Sequence, residues 1–319
     1  MRIDKICKEF KMKKIFIDGS AGTTGLRIFE RLSSRGDLEL VTLPEEIRKD
    51  PAARKDALNS CDIAFLCLPD AAAIEAVSMV ENPETVIIDT STAHRTRDDW
   101  AYGFAEIGER RAEIASAKRI ANPGCHASGF IALVEPLVSS GILSTTALLS
   151  SFSLTGYSGG GKKMIADYET AGTPLHLGGR QYALVQSHKH LPEMTKLCGL
   201  KNAPVFSPIV VPHLSGMEVT VQVFARDLRG GLEAVKECYR NYYSRGGLVK
   251  FAEDSSEGGF LSSAAYSGRD DLEVAAYGND ERVILVSRFD NLGKGASGAA
   301  IQNMNIALGC DETTGLVVG

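Results

Sequence analysis

Hydrophobic positions in the first half of the chain fall in short unbroken blocks. "KKIFIDG" (13–19), "LELVTL" (38–43), "CDIAFLCLP" (61–69) and "TVIIDTST" (85–92) are apolar runs bounded by polar or turn residues. Runs without polar alternation fit strands covered on both faces. Between them lie helical stretches. In "GTTGLRIFERLSSRG", Leu26, Phe29 and Leu32 are helically spaced and Gly36 is a stop. "AAAIEAVSMVEN" reads as a second helix. Strands alternating with helices predict a Rossmann-type, doubly wound parallel sheet. Further on, "FIALVEPLV" places Phe130, Ile131, Leu133, Val134, Leu137 and Val138 at helical spacing.

From about Leu148 the pattern changes. "ALLSSFSLTGYSGGGKK", "PVFSPIVVPHLSGMEVTVQVFAR" and "ERVILVSRFDN" read as strands of a larger, mostly antiparallel sheet, and "GGLEAVKECYRNYYSRG" as one helix. This predicts a separate α+β domain. The closing "NLGKGASGAAIQNMNIALG" turns helical through Ile301, Met304, Asn305 and Leu308. Its small residues suit close packing, with a return to the first domain expected. The division expected is 1–124 plus about 295–319 for the first domain and 125–294 for the second.

Composition narrows the classes. The chain has 319 residues, 44% hydrophobic and 24% charged, with a net charge of −5. That suits an ordinary globular protein of roughly two domains. It gives no reason to expect nucleic acid or a membrane surface as partner. No apolar run reaches the roughly 18 residues of a membrane span. The start, "MRIDKICKEFKM", lacks the apolar core of a signal peptide. "MKKIFIDGS" from Met12 reads as a natural beginning, so residues 1–11 are expected to be a peripheral extension. Seven dispersed cysteines without CxxC pairing argue against a disulfide framework or a zinc site. A reducing cytoplasm is the expected setting.

Three stretches carry candidate chemistry. The loop after the first strand, "GSAGTTG", holds Gly19, Ser20, Ala21, Gly22, Thr23, Thr24 and Gly25. Its G-x-x-G-x-x-G spacing lets backbone N–H groups approach a pyrophosphate at a helix start. A tight turn that binds nothing is the alternative. The second strand carries no acid to meet ribose hydroxyls; Glu45 and Glu46 follow it, then Arg48 and Lys49. That favours NADP over NAD. In "ANPGCHASGF", Cys125 follows a Pro-Gly turn at the mouth of a helix, where the dipole favours a thiolate and a depressed pKa is expected. A small buried residue is the bland reading. In "SHKHLPEM", His188, His190 and Glu193 lie within six residues. If the stretch is a strand, the two histidines share a face and supply an acid/base and its orienter. An exposed polar turn and a metal fragment are the alternatives, although no further cluster completes a metal site.

Together these stretches resemble N-acetyl-γ-glutamyl-phosphate reductases of the shorter form, relatives of aspartate-semialdehyde and phosphorylating glyceraldehyde-3-phosphate dehydrogenases. The likeness runs from about Met12 to Gly309. It rests on "KKIFIDGSAGTTGLRI", "DTSTAHR", "YGFAEI", "ANPGCHASGF", "YSGGGKKMI", "HKHLPE" and "DNLGKGASGAAIQNMN" in that order. Ala105, where the family usually has Pro, is a small departure. The resemblance implies NADPH-dependent reduction of N-acetyl-L-glutamyl 5-phosphate to the semialdehyde, through a thioester, in arginine biosynthesis. It implies Cys125 as nucleophile and His188 as acid/base, with His190 the runner-up. It places Arg95, Ser158, Gly159, Tyr182, His190 and Glu193 near the substrate, and Gly298 and Asn303 near the cofactor. A homo-oligomer, dimer or tetramer, is expected by the same analogy. Two alternatives stay open: another acyl-phosphate reductase, acting on aspartyl or N-acetyl-aminoadipyl phosphate, and a non-catalytic NADP-binding regulator. A glycine-rich structural domain is a remoter one.

Overall fold

The structure, a computed structural model, describes residues 12–170 and 173–319. The expected N-terminal extension, residues 1–11, lies outside them. Strands β1 (Lys13–Asp18), β2 (Leu38–Val41), β3 (Ile63–Leu66), β4 (Val86–Asp89), β5 (Ala101–Tyr102) and β6 (Arg119–Ala121) form one sheet in the order β2-β1-β3-β4-β6-β5. Every pairing in it is parallel. Consecutive residues Ile15, Phe16 and Ile17 are all buried, because helices cover both faces. On one face α2 (Pro51–Ser60) and α3 (Asp70–Ser78) pack Ala57, Leu58 and Ala73 on Phe16, Leu66 and Ile87. Asp50 starts α2 by accepting the Ala53 N–H, with proline at the first helical position.

On the other face, α1 (Thr23–Leu32), α4 (Arg110–Ser116) and α9 (Gly298–Leu308) set Ile28, Leu32, Ile114, Ile301 and Met304 against Ile15, Ile17, Phe65 and Ile88. The C-terminal helix thus returns to the first sheet. Of the three apolar positions read from the α1 pattern only Leu32 is buried. Leu26 and Phe29 are exposed, and Gly25 and Ile28 face inward. Gly25 sets that rotation, since a Cβ there would strike the Gly19 carbonyl of the loop.

The second sheet combines β7 (Ser150–Gly156), β8 (Arg180–Gln181), β9 (Val205–Val211), β10 (Met217–Phe224), β11 (Val249–Phe251), β12 (Leu272–Gly278) and β13 (Arg282–Phe289) in the order β11-β12-β13-β10-β7-β9-β8. Four of its six pairings are antiparallel; β7–β9 and β11–β12 are parallel. Helix α5 (Cys125–Ser139) lies between this sheet and α7 (Leu191–Leu197) and α8 (Gly231–Tyr242). It is buried nearly all round, Phe130 through Val134 without exception, as a helix with neighbours on every side must be. "GGGKKMI" continues not as a strand but into a helix, α6 (Gly161–Thr170). The histidine stretch is not a strand either. His190 caps α7 and Pro192 sits in its first turn, where a missing N–H costs nothing.

A buried ion pair ties the sheets together. Glu106, between β5 and α4, receives Lys294 Nζ at 2.7 Å, Gln302 Nε2 at 2.8 Å and the Leu248 N–H at 2.8 Å. Both charged side chains are 1% exposed. Burial alone would raise the Glu106 pKa, but these donors together hold it below the ordinary value. Lys294→Ala leaves that carboxylate buried without its cation and is expected to cost roughly 3–5 kcal/mol. Lys294→Met with Glu106→Gln is expected to cost less, since no charge is stranded. Urea unfolding of the two variants checks this; equal losses would refute the charge account.

Candidate active site

The site is built around the first turn of α5. Its cap, Gly124, makes no side-chain hydrogen bond at the helix start. Instead the Gly124 N–H donates to Glu193 Oε1 at 2.8 Å. The same carboxylate accepts the Tyr102 hydroxyl at 2.6 Å and faces Arg95 Nη1 at 3.3 Å. Arg95 is fixed further by the Asn122 and Thr90 carbonyls, both at 2.9 Å. A Cβ at position 124 would strike Arg95 Nη1 and the His190 ring, so only glycine lets these groups close in.

A cavity of about 500 Å³ opens at this point. Of the residues singled out in the sequence, Cys125, His188, His190, Arg95, Tyr182, Ser158, Gly159, Gly22, Thr23 and Thr24 line it together. Gly19, Ser20 and Ala21 line a neighbouring hollow of about 190 Å³ with Asp18, Arg48 and Lys49. Four expected site residues line neither. Glu193 is buried under Gly124 and acts on the site through Arg95 and the peptide. Gly25 is a packing glycine of α1. Gly298 is buried against Asp270 and Gly293. Asn303 is buried with its amide on the Gly103 carbonyl and Asn122 Oδ1, one layer behind the cavity wall.

Burial dominates the electrostatics. Cys125 is half-buried, and desolvation raises its thiol pKa above the ordinary value; Arg95, the His126 N–H and Lys189 pull the other way without reversing it. The depressed pKa expected from the helix start is therefore overturned, because removal of water from the sulfur outweighs the helix end and the cations. His188 is lowered to about 4, by burial first and then by Lys189. His190 is fully enclosed and lies well below its ordinary value, by burial and then Arg95. Both rings are neutral at neutral pH. The His190 N–H reaches His188 Nδ1 at 3.2 Å, which leaves Nε2 as the protonated nitrogen of the neutral His188 ring.

Sequence reasoning missed His126, Lys189, Asn122 and Asn291, all of which line the cavity. Lys189 sits between the two histidines and His126 directly follows Cys125; only that adjacency signalled them. Asn291 donates to Ser158 Oγ at 2.9 Å and accepts the Gly216 N–H at 3.0 Å, fixing the Ser158 wall. Among the described residues, no group of three His, Cys, Asp or Glu side chains is arranged to hold a metal ion.

The glycine loop fits a dinucleotide. Helix α1 starts at Gly22 without a side-chain cap, so its first-turn N–H groups at Thr23 and Thr24 face the cavity with no partner in the helix. Gly19 has φ +87° and no room for a Cβ beside the Cys67 carbonyl. An anion at the helix start satisfies those donors, and the hollow holding Arg48 and Lys49 continues from the same loop.

Residues 9–117 match the NAD-binding domain model of the semialdehyde dehydrogenases, and residues 125–291 match their dimerisation domain model. An N-acetyl-gamma-glutamyl-phosphate reductase of Burkholderia cenocepacia is 44% identical over 308 residues, covering 93% of this chain and 98% of that protein. One of Allorhizobium ampelinum is 46% identical over 305 residues, covering 92% and 98%. An aspartate semialdehyde dehydrogenase II of Vibrio cholerae shares the fold with a TM-score of 0.72 at 17% identity, covering 93% of this chain and 98% of that one. The chain belongs to the semialdehyde dehydrogenase family, in the group of the N-acetyl-gamma-glutamyl-phosphate reductases.

Proposed function

We propose that this protein reduces N-acetyl-L-glutamyl 5-phosphate to N-acetyl-L-glutamate 5-semialdehyde and phosphate with NADPH, a step of arginine biosynthesis. The observation that carries the reading is one cavity that brings the Cys125 sulfur, His188 and Arg95 together with the start of the glycine-loop helix. Cys125 attacks the acyl carbon, the bond to the phosphate oxygen breaks, and the thiol proton leaves with the phosphate as a thioester forms. Arg95 faces the departing phosphate. Gly19 to Thr24 would hold NADPH, which would supply the hydride that the thioester carbonyl needs. The carbonyl oxygen gains charge and accepts a hydrogen bond from His188 Nε2. The resulting alkoxide then collapses to the aldehyde and expels the sulfur as a thiolate, which takes a proton from solvent to restore the thiol. Ser158, Gly159, Tyr182 and His190 form the substrate wall.

The division of labour we infer assigns residues 1–124 and about 295–319 to the cofactor, and 125–294 to catalysis and self-association. A surface hollow of about 910 Å³ on the second sheet, ringed by exposed Leu148, Val205, Phe224 and Ile284, supports a homo-oligomer, as does the dimerisation model matched there. No helix among the described residues is long and apolar enough to cross a membrane. With the amino-acid precursor as substrate, this supports a cytoplasmic enzyme. The reaction run backward, with phosphate and NADP, separates the substrates. N-acetyl-glutamate semialdehyde is expected to be oxidised far faster than aspartate semialdehyde or the N-acetyl-aminoadipate homologue. The reverse order would replace this reading, and no turnover of any would favour a regulator.

Four variants test the site. Cys125→Ser is expected to abolish measurable turnover while NADPH still quenches protein fluorescence; an active serine variant would exclude the thioester route. Arg48→Ala with Lys49→Ala is expected to lower kcat/KM for NADPH by about 10–100-fold, the worth of one or two charged hydrogen bonds. Activity with NADH should stay unchanged, and equal losses with both cofactors would clear these cations of meeting the 2′-phosphate. His188→Asn is expected to lower kcat by about 10²–10³-fold, the scale of a lost oxyanion donor. His190→Asn should cost less. Because His188 is lowered to about 4, the ring keeps one protonation state between roughly pH 5 and 8. The wild-type rate should therefore show no histidine limb in that window. A limb near 6.5 that His188→Asn removes would contradict the assignment.

A further inference from the structure

His126 follows the nucleophile in the chain and has no part in the chemistry above. It is 3% exposed, with Nδ1 2.7 Å from Ser153 Oγ and Nε2 2.8 Å from Tyr182 Oη. Phe206 and His188 meet its ring edge-on at 5.3 and 5.6 Å. Burial, then repulsion from His188 once that ring is itself protonated and from Lys189, lower its pKa to about 3, so the ring is neutral and offers one donor and one acceptor.

The neighbours decide which nitrogen is which. Ser153 is fully buried, and among the described residues its hydroxyl has His126 as its only hydrogen-bond partner. A proton on Nδ1 would leave the Ser153 hydrogen enclosed without an acceptor. Ser153 therefore donates to Nδ1, the ring proton sits on Nε2, and Nε2–H donates to Tyr182 Oη. The Tyr182 oxygen is thus the acceptor of that bond, and its own hydrogen is free to be donated elsewhere. Tyr182 lines the cavity with Cys125, and burial holds its phenol protonated. The chain spends backbone strain to put it there. Ala183 and Gln186 both have φ +54°, where non-glycine residues are rare. Gln186 offsets this by exchanging two 2.8 Å hydrogen bonds with the Phe206 backbone.

We propose that His126 is a positioning residue: it fixes the polarity of the Ser153–His126–Tyr182 string so that the Tyr182 hydroxyl donates a hydrogen bond to the acyl substrate at Cys125. The inference rests on the acyl-phosphate reductase reading. A double-mutant cycle of His126→Phe and Tyr182→Phe tests it, reading kcat/KM for N-acetyl-glutamate semialdehyde with phosphate and NADP. Each single change is expected to cost about 10-fold or more, and the double variant no more than the worse single one. His126→Gln, which keeps an N–H donor toward Tyr182, should recover part of the loss. Multiplying losses in the double variant, or a glutamine no better than phenylalanine, would reduce His126 to a packed ring and overturn the proposal. If His126→Phe does not fold, His126→Asn takes its place in the cycle. A wild-type enzyme inert toward the semialdehyde would defeat the reductase reading, whereas an active wild type with a multiplicative cycle defeats this inference alone.

Discussion

The geometry of the site hangs on one carboxylate. Glu193 is 1% exposed, and it would be costly to bury were its oxygens not met by the Gly124 N–H, the Tyr102 hydroxyl and the Arg95 guanidinium. Those partners come from the α5 cap, the edge strand β5 of the first sheet and the segment after β4. The acid itself is on the first turn of α7. One buried charge thereby sets the distance between the helix that starts at Cys125, the Arg95 guanidinium and the histidine segment that precedes α7. Removing the acid would leave Arg95 buried beside an unpaired peptide, and all three would be free to drift.

Behind the cavity a second polar layer serves the same end without touching a ligand. Asn303 on α9 reaches Asn122, and Asn122 reaches the Ala296 carbonyl at 3.0 Å. Asn122 and Ala296 stand on the cavity wall. Lys294 and Glu106 brace the same return segment from the other side. Helix α9 in this way backs the wall that α5 opens onto, although it packs on the other sheet.

The unbroken apolar blocks of the first half were readable as parallel strands because burial on both faces leaves no alternation to misread. The glycine loop and the start of α5 were readable because turn residues punctuate them. Helix α6 was not. It begins on the last of three glycines and buries none of its residues, so it carries no apolar face to detect. The strand considered for the histidine segment is not formed: a two-residue spacing mimics β periodicity, while the true signal was proline in a helix's first turn. Gly298, Asn303 and Glu193 lie near the site without lining it, since a motif marks a neighbourhood and not a surface. The raised thiol pKa was invisible for a different reason: the helix end is local in sequence, whereas burial comes from packing against residues as distant as Gly295.

That raised pKa has a bearing on how long the enzyme lasts. Peroxides attack a thiolate far more readily than a thiol, and each step beyond the sulfenic acid is hard to undo. A sulfur kept protonated while the cavity holds no substrate presents little for an oxidant to find. The desolvation that raises the Cys125 pKa is therefore also a shelter for its sulfur.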